Sequence, residues 1–146
     1  MAAKREFPME KSVMLEKMRC NIPPSADFQD NIEIIDVTEP GYVHFTMDVP
    51  ACLGNYHGGI HGGTAYFISE IASGFATYTL GSDNVCQSAS INFVKAAPCC
   101  KVDVTTEPVH AGRSTAIIRV TARQAETGKL LFTTMHNMFL LGPIEG

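Results

Sequence analysis

The run HGGTAYFISEIASGFATYTL, His61–Leu80, decides the architecture. From residue 64 to 80 its apolar residues point nearly all the way round a helical wheel, the mark of a helix enclosed on most sides. Before it lies a glycine-rich loop, 54–63; after it Gly81-Ser82-Asp83-Asn84 reads as a turn. Further out, both flanks read as strands. Residues 31–38 and 41–49 precede the loop and are split by the turn signal Glu39-Pro40-Gly41. Residues 85–95, 101–110, 113–124 and 130–141 follow the helix, with Gly112 and Thr127-Gly128 at hairpin turns. In 85–95, Val85, Gln87, Ala89, Ile91 and Phe93 alternate with Cys86, Ser88, Ser90, Asn92 and Val94. In 113–124, Ala116, Ile118, Val120 and Ala122 make one face, and Arg119, Thr121 and Arg123 the other. A helix apolar on so many sides needs a sheet curved about it. The expected fold is therefore α+β: an antiparallel sheet of about five or six strands wrapped around one long central helix.

The whole chain, 1–146, reads as one domain. A short amphipathic helix is expected over 9–20, with Met9, Val13, Met14 and Cys20 on its apolar side; Pro23-Pro24 ends it. This N-terminal extension covers 1–28 and the core 30–141. A formal net charge of −4 disfavours nucleic acid as a partner. The five cysteines, odd in number and without C-x-x-C spacing, indicate neither a disulfide framework nor a zinc site. The N-terminus lacks the apolar core of a signal peptide, and the 64–80 run is broken by Ser, Glu, Gly and Thr. The expected setting is the cytoplasm, with no membrane partner.

The loop holds one tripeptide twice, His57-Gly58-Gly59 and His61-Gly62-Gly63. The second abuts the helix, so its N–H groups belong to a first turn whose donors lack intrahelical partners. These donors sit at the positive end of the helix dipole, and glycine leaves them open, which makes a seat for an oxyanion. The first copy supplies turn geometry without that field. A short glycine motif alone is equally compatible with a loop that has no chemistry. Glu70 adds weight. It stands in apolar company, where a carboxylate must find partners, hold a proton, or share a narrow wet stripe with Ser69 and Ser73. Gly62 and Glu70 are eight residues apart, roughly 12 Å along a helix. Both cannot come within about 3 Å of one carbonyl. If both act, they come from two chains, with two composite sites per dimer.

Asn55 six residues before His61-Gly62-Gly63, with Glu70 nine after that histidine, resembles the active-site signature of hotdog-fold acyl-CoA thioesterases of the phenylacetyl-CoA and 4-hydroxybenzoyl-CoA type. The segments SASINFVKAAP (88–98), HAGRSTAIIRV (110–120) and ETGKLLFTTMHNMFLL (126–141) carry the likeness onward. Only the second tripeptide fits, since nine residues after His57 stands Tyr66. The resemblance implies that Gly62 N–H polarises a thioester carbonyl, with Gly63 beside it in the substrate-binding loop. It implies that Asn55 holds that carbonyl or the attacking water and that His61 shapes the loop. Glu70 of the facing subunit would be general base or nucleophile, and Ser88 would help position water.

Such a site would hydrolyse a thioester to a free acid and CoA with no metal or redox cofactor, CoA entering only as part of the substrate. Lys95, Lys101 and Arg113 are the candidates for its phosphates, although lysines at strand edges also oppose aggregation. The expected assembly is a homodimer, and two such dimers can join as a homotetramer. Two other functions fit the same fold: a non-catalytic acyl-CoA-binding or sensor module, which would not need Glu70, and an acyl-thioester dehydratase or hydratase, whose proline-rich loop motif is missing here. His44, His110 and His136 fall in strand patterns without ligand spacing.

Overall fold

A computed structural model of the chain describes residues 5–144, so the outermost residues of the expected domain, 1–4 and 145–146, lie outside the described residues. Helix α1 (Lys11–Cys20) is followed by β1 (Ile32–Glu39), β2 (Tyr42–Asp48), α2 (Gly62–Thr79), β3 (Ser82–Phe93), β4 (Lys101–Ala111), β5 (Thr115–Gln124) and β6 (Leu130–Pro143). The six strands form one sheet in the order β1-β2-β4-β5-β6-β3, antiparallel at every junction. Helix α2 packs against β2 to β6. This is the hotdog arrangement.

The core follows from strand alternation. Ala116, Ile118, Val120 and Ala122 of β5 are fully buried, as are Phe45 and Met47 of β2 and Val102 and Val104 of β4. They meet Ala65, Ile68, Ala72, Phe75 and Ala76 of α2. Phe45 and Phe75 meet edge to face, ring centroids 5.8 Å apart. Each large side chain enclosed this way stabilises the fold by about 1.5–3 kcal/mol. The far end of α2 is tied to the β1–β2 turn. Gly41 N–H donates to Thr79 Oγ1 at 2.8 Å, and Gly41 carbonyl accepts from Thr106 Oγ1 at 2.8 Å. Gly41 has φ +93°, which a side chain would strain.

Three local expectations need correction. In α1 the buried residues are Met14 and Met18, one turn apart, whereas Val13 and Cys20 are exposed and Met9 precedes the helix. Helix α2 begins at Gly62 rather than at residue 64, so Gly62 and Gly63 belong to the helix and not to the expected loop, 54–63. In β3 the register against β6 shifts between Cys86 and Ser88. That bulge interrupts the even alternation and puts Cys86 on the same side as Ala89, facing His136 rather than sharing a face with Ser88.

Candidate functional site

Helix α2 is buried nearly all round, with an open stripe at four-residue steps: Gly62, Tyr66, Glu70, Gly74 and Tyr78. Each four-residue step turns the stripe by about 40°, so successive members are neighbours while the stripe winds slowly round the helix. Ser69 and Ser73 do not share the stripe. Both are fully buried, and their hydroxyls turn back to donate to the carbonyls of Ala65 and Glu70. Glu70 is half-buried, and its carboxylate makes no hydrogen bond or ion pair among the described residues. It forms part of the wall of a cavity of about 250 Å³ with Asn21, Gly74, Tyr78, Asp83 and Asn84.

At the head of the stripe, His61 is the N-cap of α2, and its Nδ1 accepts from Gly63 N–H at 2.9 Å. Thr64 Oγ1 donates to Leu53 carbonyl at 2.8 Å and fixes the loop to the first turn. The cap therefore occupies Gly63 N–H and leaves Gly62 N–H without a partner among the described residues. Gly62 opens on a second cavity, about 230 Å³, lined by Ile60, Ala65, Phe93, Lys95 and Phe132 among others. A Cβ on Gly62 would stand 3.3 Å from the Phe93 ring, so the missing side chain lets that ring lie over the helix start.

Asn55 serves the first tripeptide. Its Oδ1 accepts from His57 N–H at 2.9 Å and Gly59 N–H at 3.0 Å, leaving the Nδ2 amide hydrogens outside that loop bond pair. Gly58 sits at φ +80°. The tripeptide is stitched to the segment after β3: Ile60 N–H donates to Ala97 carbonyl, and Cys99 N–H to Gly58 carbonyl. Ser88 is exposed and accepts from Asn137 Nδ2 at 2.9 Å. Asn137 lies between buried His136 and Met138 on β6, so this pair occupies the sheet's outer side, and the chain does not bring Ser88 to its own Glu70.

The basic candidates separate. Lys95 borders the Gly62 cavity and lies against Lys129, whose ammonium lowers its pKa; sequence reading did not join these two. Lys101 shares that end of the sheet, since its carbonyl accepts from Ala125 N–H just past β5. Arg113 lies in the β4–β5 turn at the opposite end of β4, roughly 35 Å along an 11-residue strand.

A buried histidine emerges behind the stripe. His136 is fully enclosed, one ring nitrogen 3.5 Å from Cys86 Sγ, and its ring centroid is 5.9 Å from that of Tyr66. Its Nε2 has no partner among the described residues, and burial pulls its pKa down to about 4. Burial also raises the pKa of Cys86, with Glu70 adding to the shift, so this thiol is a poor nucleophile at neutral pH. The signal for His136 in the sequence was its position, in phase with Phe132, Thr134 and Met138 on the inner face of β6. Among the described residues no group of His, Cys, Asp or Glu could hold a metal ion, and no helix is long and apolar enough to cross a membrane.

The family model described as thioesterase superfamily matches residues 57–131, just over half the chain and including both His61-Gly62-Gly63 and Glu70. The chain belongs to this superfamily. Among solved structures, a hypothetical thioesterase from Streptococcus pneumoniae, determined with coenzyme A, is 31% identical to this superfamily member. That match covers 80% of this chain and 90% of the other, at a TM-score of 0.75. A Streptococcus mutans protein bound to acetyl CoA is 27% identical over 79% and 92% of the two chains, TM-score 0.75. Zebra fish thioesterase superfamily member 2 shares the fold at 22% identity, covering 89% and 94%, TM-score 0.76. No curated protein sequence matches the chain significantly.

Proposed function

We propose that this protein hydrolyses an acyl-CoA thioester, in composite sites built where two copies of the chain meet. The observation that carries the reading is the open stripe on an otherwise enclosed helix, with an unpartnered Gly62 N–H at its head and an unpaired Glu70 eight residues on. That separation, roughly 12 Å, is too long for one chain to serve one carbonyl from both ends. A second copy laid across the stripe would cover it and set the Gly62 end of one helix against Glu70 of the other. Strand β3 supports this. It is a 12-residue sheet edge that leaves Val85 and Phe93 exposed, an edge suited to pairing with a second copy.

In this arrangement the thioester carbonyl accepts from Gly62 N–H, backed by the helix dipole, with Asn55 Nδ2 as a second donor. Glu70 of the facing subunit takes a proton from water as that water attacks the carbonyl carbon. Collapse of the tetrahedral adduct breaks the C–S bond, and the proton passes to the departing thiolate, giving a free acid and CoA. The opening of Glu70 onto a cavity that admits water favours a base over direct attack by the carboxylate. Ser88 would orient that water once a second chain is in place. Lys95 and Lys129, two like charges close together at one end of the sheet, suit the CoA phosphates, and the CoA-bound relatives support that class of ligand.

Glu70→Gln should leave the fold intact and lower thiol release from acyl-CoA by at least a hundredfold. Near-normal turnover would turn the reading toward a non-catalytic acyl-CoA-binding module. Refolding Gly62→Pro with Glu70→Ala should regain activity, because one site of each mixed dimer keeps both halves. Verified mixed dimers that stay inactive would overturn the shared site.

A further inference from the structure

We infer that Tyr66 lies on the two-fold axis of the dimer, its ring against that of its own copy, and that it is a positioning residue setting the gap between Gly62 and the facing subunit's Glu70 in both sites at once. This rests on the shared-site reading above and gives it a register. Three observations converge.

The first is the spacing on α2. A two-fold axis parallel to the helices would set Gly62 beside Gly62 and Glu70 beside Glu70. Only an axis that crosses the helices brings Gly62 of one copy to Glu70 of the other, and it lays the two helices antiparallel. The residue midway between those two then faces itself. That residue is Tyr66, four from each along the open stripe.

The second is the sheet edge. Two β3 strands that meet across such an axis pair antiparallel, and full overlap of their twelve residues centres the pair between Gln87 and Ser88. Tyr66 stands at that level. Its hydroxyl is beside Cys86, and its ring centroid is 5.9 Å from that of His136, whose partner on β3 is Ala89. The middle of the helix stripe and the middle of the strand edge, each located without the other, therefore fall on one side chain.

The third is the shape of the stripe. Tyr66 is 39% exposed on a helix otherwise mostly enclosed, backed by β3 and β6 and open on the side a second copy would cover. Cys86 gives its hydroxyl a neighbour on the same chain, so the ring can be covered without stranding it. Packed helices lie about 8–10 Å apart, and the side chains at the crossing decide where in that range. Two tyrosine rings at the crossing hold the pair wide. Gly62 adds no side chain, so that width persists at each end as a slot for a thioester carbonyl. A smaller residue at 66 would let the helices close on the slot. A larger one would draw Gly62 N–H and the facing carboxylate apart.

The test begins with the wild-type chain and its four tyrosines. Photo-oxidation with a ruthenium sensitiser and persulfate couples adjacent tyrosine rings. It should give a covalent dimer in which mass spectrometry finds the Tyr66 peptide joined to itself. As a second route, p-benzoylphenylalanine placed at position 66 should, on irradiation, join the facing copy between residues 62 and 70. Turnover is read with whichever of acetyl-, phenylacetyl- and decanoyl-CoA the wild type hydrolyses fastest. Tyr66→Phe should abolish the tyrosine link and keep kcat within twofold, since the ring is retained. Tyr66→Ala and Tyr66→Trp should each lower kcat at least tenfold where light scattering shows a dimer, and either one suffices if the other fails to assemble. No link from 66 to that segment by either route, or a kcat indifferent to the size of residue 66, overturns the inference and leaves the hydrolase standing. A Tyr66 self-link in a chain that hydrolyses none of the three keeps Tyr66 on the axis and removes the hydrolase.

Discussion

The two His-Gly-Gly copies have the same side chains four residues apart, yet their backbones do different things. In His57-Gly58-Gly59 the amide hydrogens are spent inward: Asn55 Oδ1 takes two of them, and Gly58 turns the chain at φ +80°. In His61-Gly62-Gly63 the histidine ring takes one, and the helix start leaves Gly62 N–H facing out. The difference teaches that the tripeptide itself carries no activity. What matters is whether a helix begins there, because only a helix start leaves donors unspent and aligned with a dipole.

The largest expected contrast comes from removing one donor. Gly62→Pro occupies the first helical position, where proline is tolerated, and deletes the N–H without ending the helix. The Phe93 ring above it is 61% exposed and can move aside. Turnover should fall about 10²–10³-fold, as for loss of an oxyanion donor, with little change in melting temperature. Gly58→Ala in the other copy should do the reverse. It would cost about 1–2 kcal/mol of stability through its backbone conformation and spare most turnover. Equal kinetic losses in the two variants would erase the distinction.

Asn55 links the copies and gives a medium effect. Asn55→Ala leaves two loop N–H groups to water and should cost about 0.5–1.5 kcal/mol by denaturant titration. Asn55→Asp keeps the acceptor and should recover that stability, while turnover stays at least tenfold down for want of Nδ2 as a donor. Full recovery of rate in the aspartate variant would make Asn55 a loop anchor only. The smallest effect is expected at His61→Ala, which removes a cap worth about 1 kcal/mol and should be seen chiefly as a lower melting temperature.

Much of this was legible in the sequence where one rule acted alone. The even alternation of Ala116, Ile118, Val120 and Ala122 gave the inner face of β5 without error. An apolar helix between two strand-rich flanks gave the wrapped sheet. Reading failed where two rules competed. Ser69 and Ser73 look like a wet stripe because serine is polar, but each satisfies its hydroxyl on its own helix and is buried. Val13 looks like core, but α1 docks with Met14 and Met18 inward. A bulge in β3 has no period to announce it and reverses the side of Cys86. Lys95 and Lys129 meet only because two hairpin strands intervene and return. The anchoring role of Asn55 was the nearest miss, since asparagine two residues before a glycine-bearing turn is a common way to close one.

The enclosure of His136 carries a price under acid. Its folded pKa, about 4, lies below the ordinary histidine value near 6.5, so across that interval the unfolded chain takes up a proton that the native one refuses. Stability from this group is full above pH 6.5 and drains away as pH falls toward 4, by at most about 1.4 kcal/mol per pH unit. Urea midpoints measured from pH 7 to pH 4 should fall more steeply for the wild-type chain than for His136→Gln. An imidazole shut away from water thus makes the native state lean on a neutral milieu.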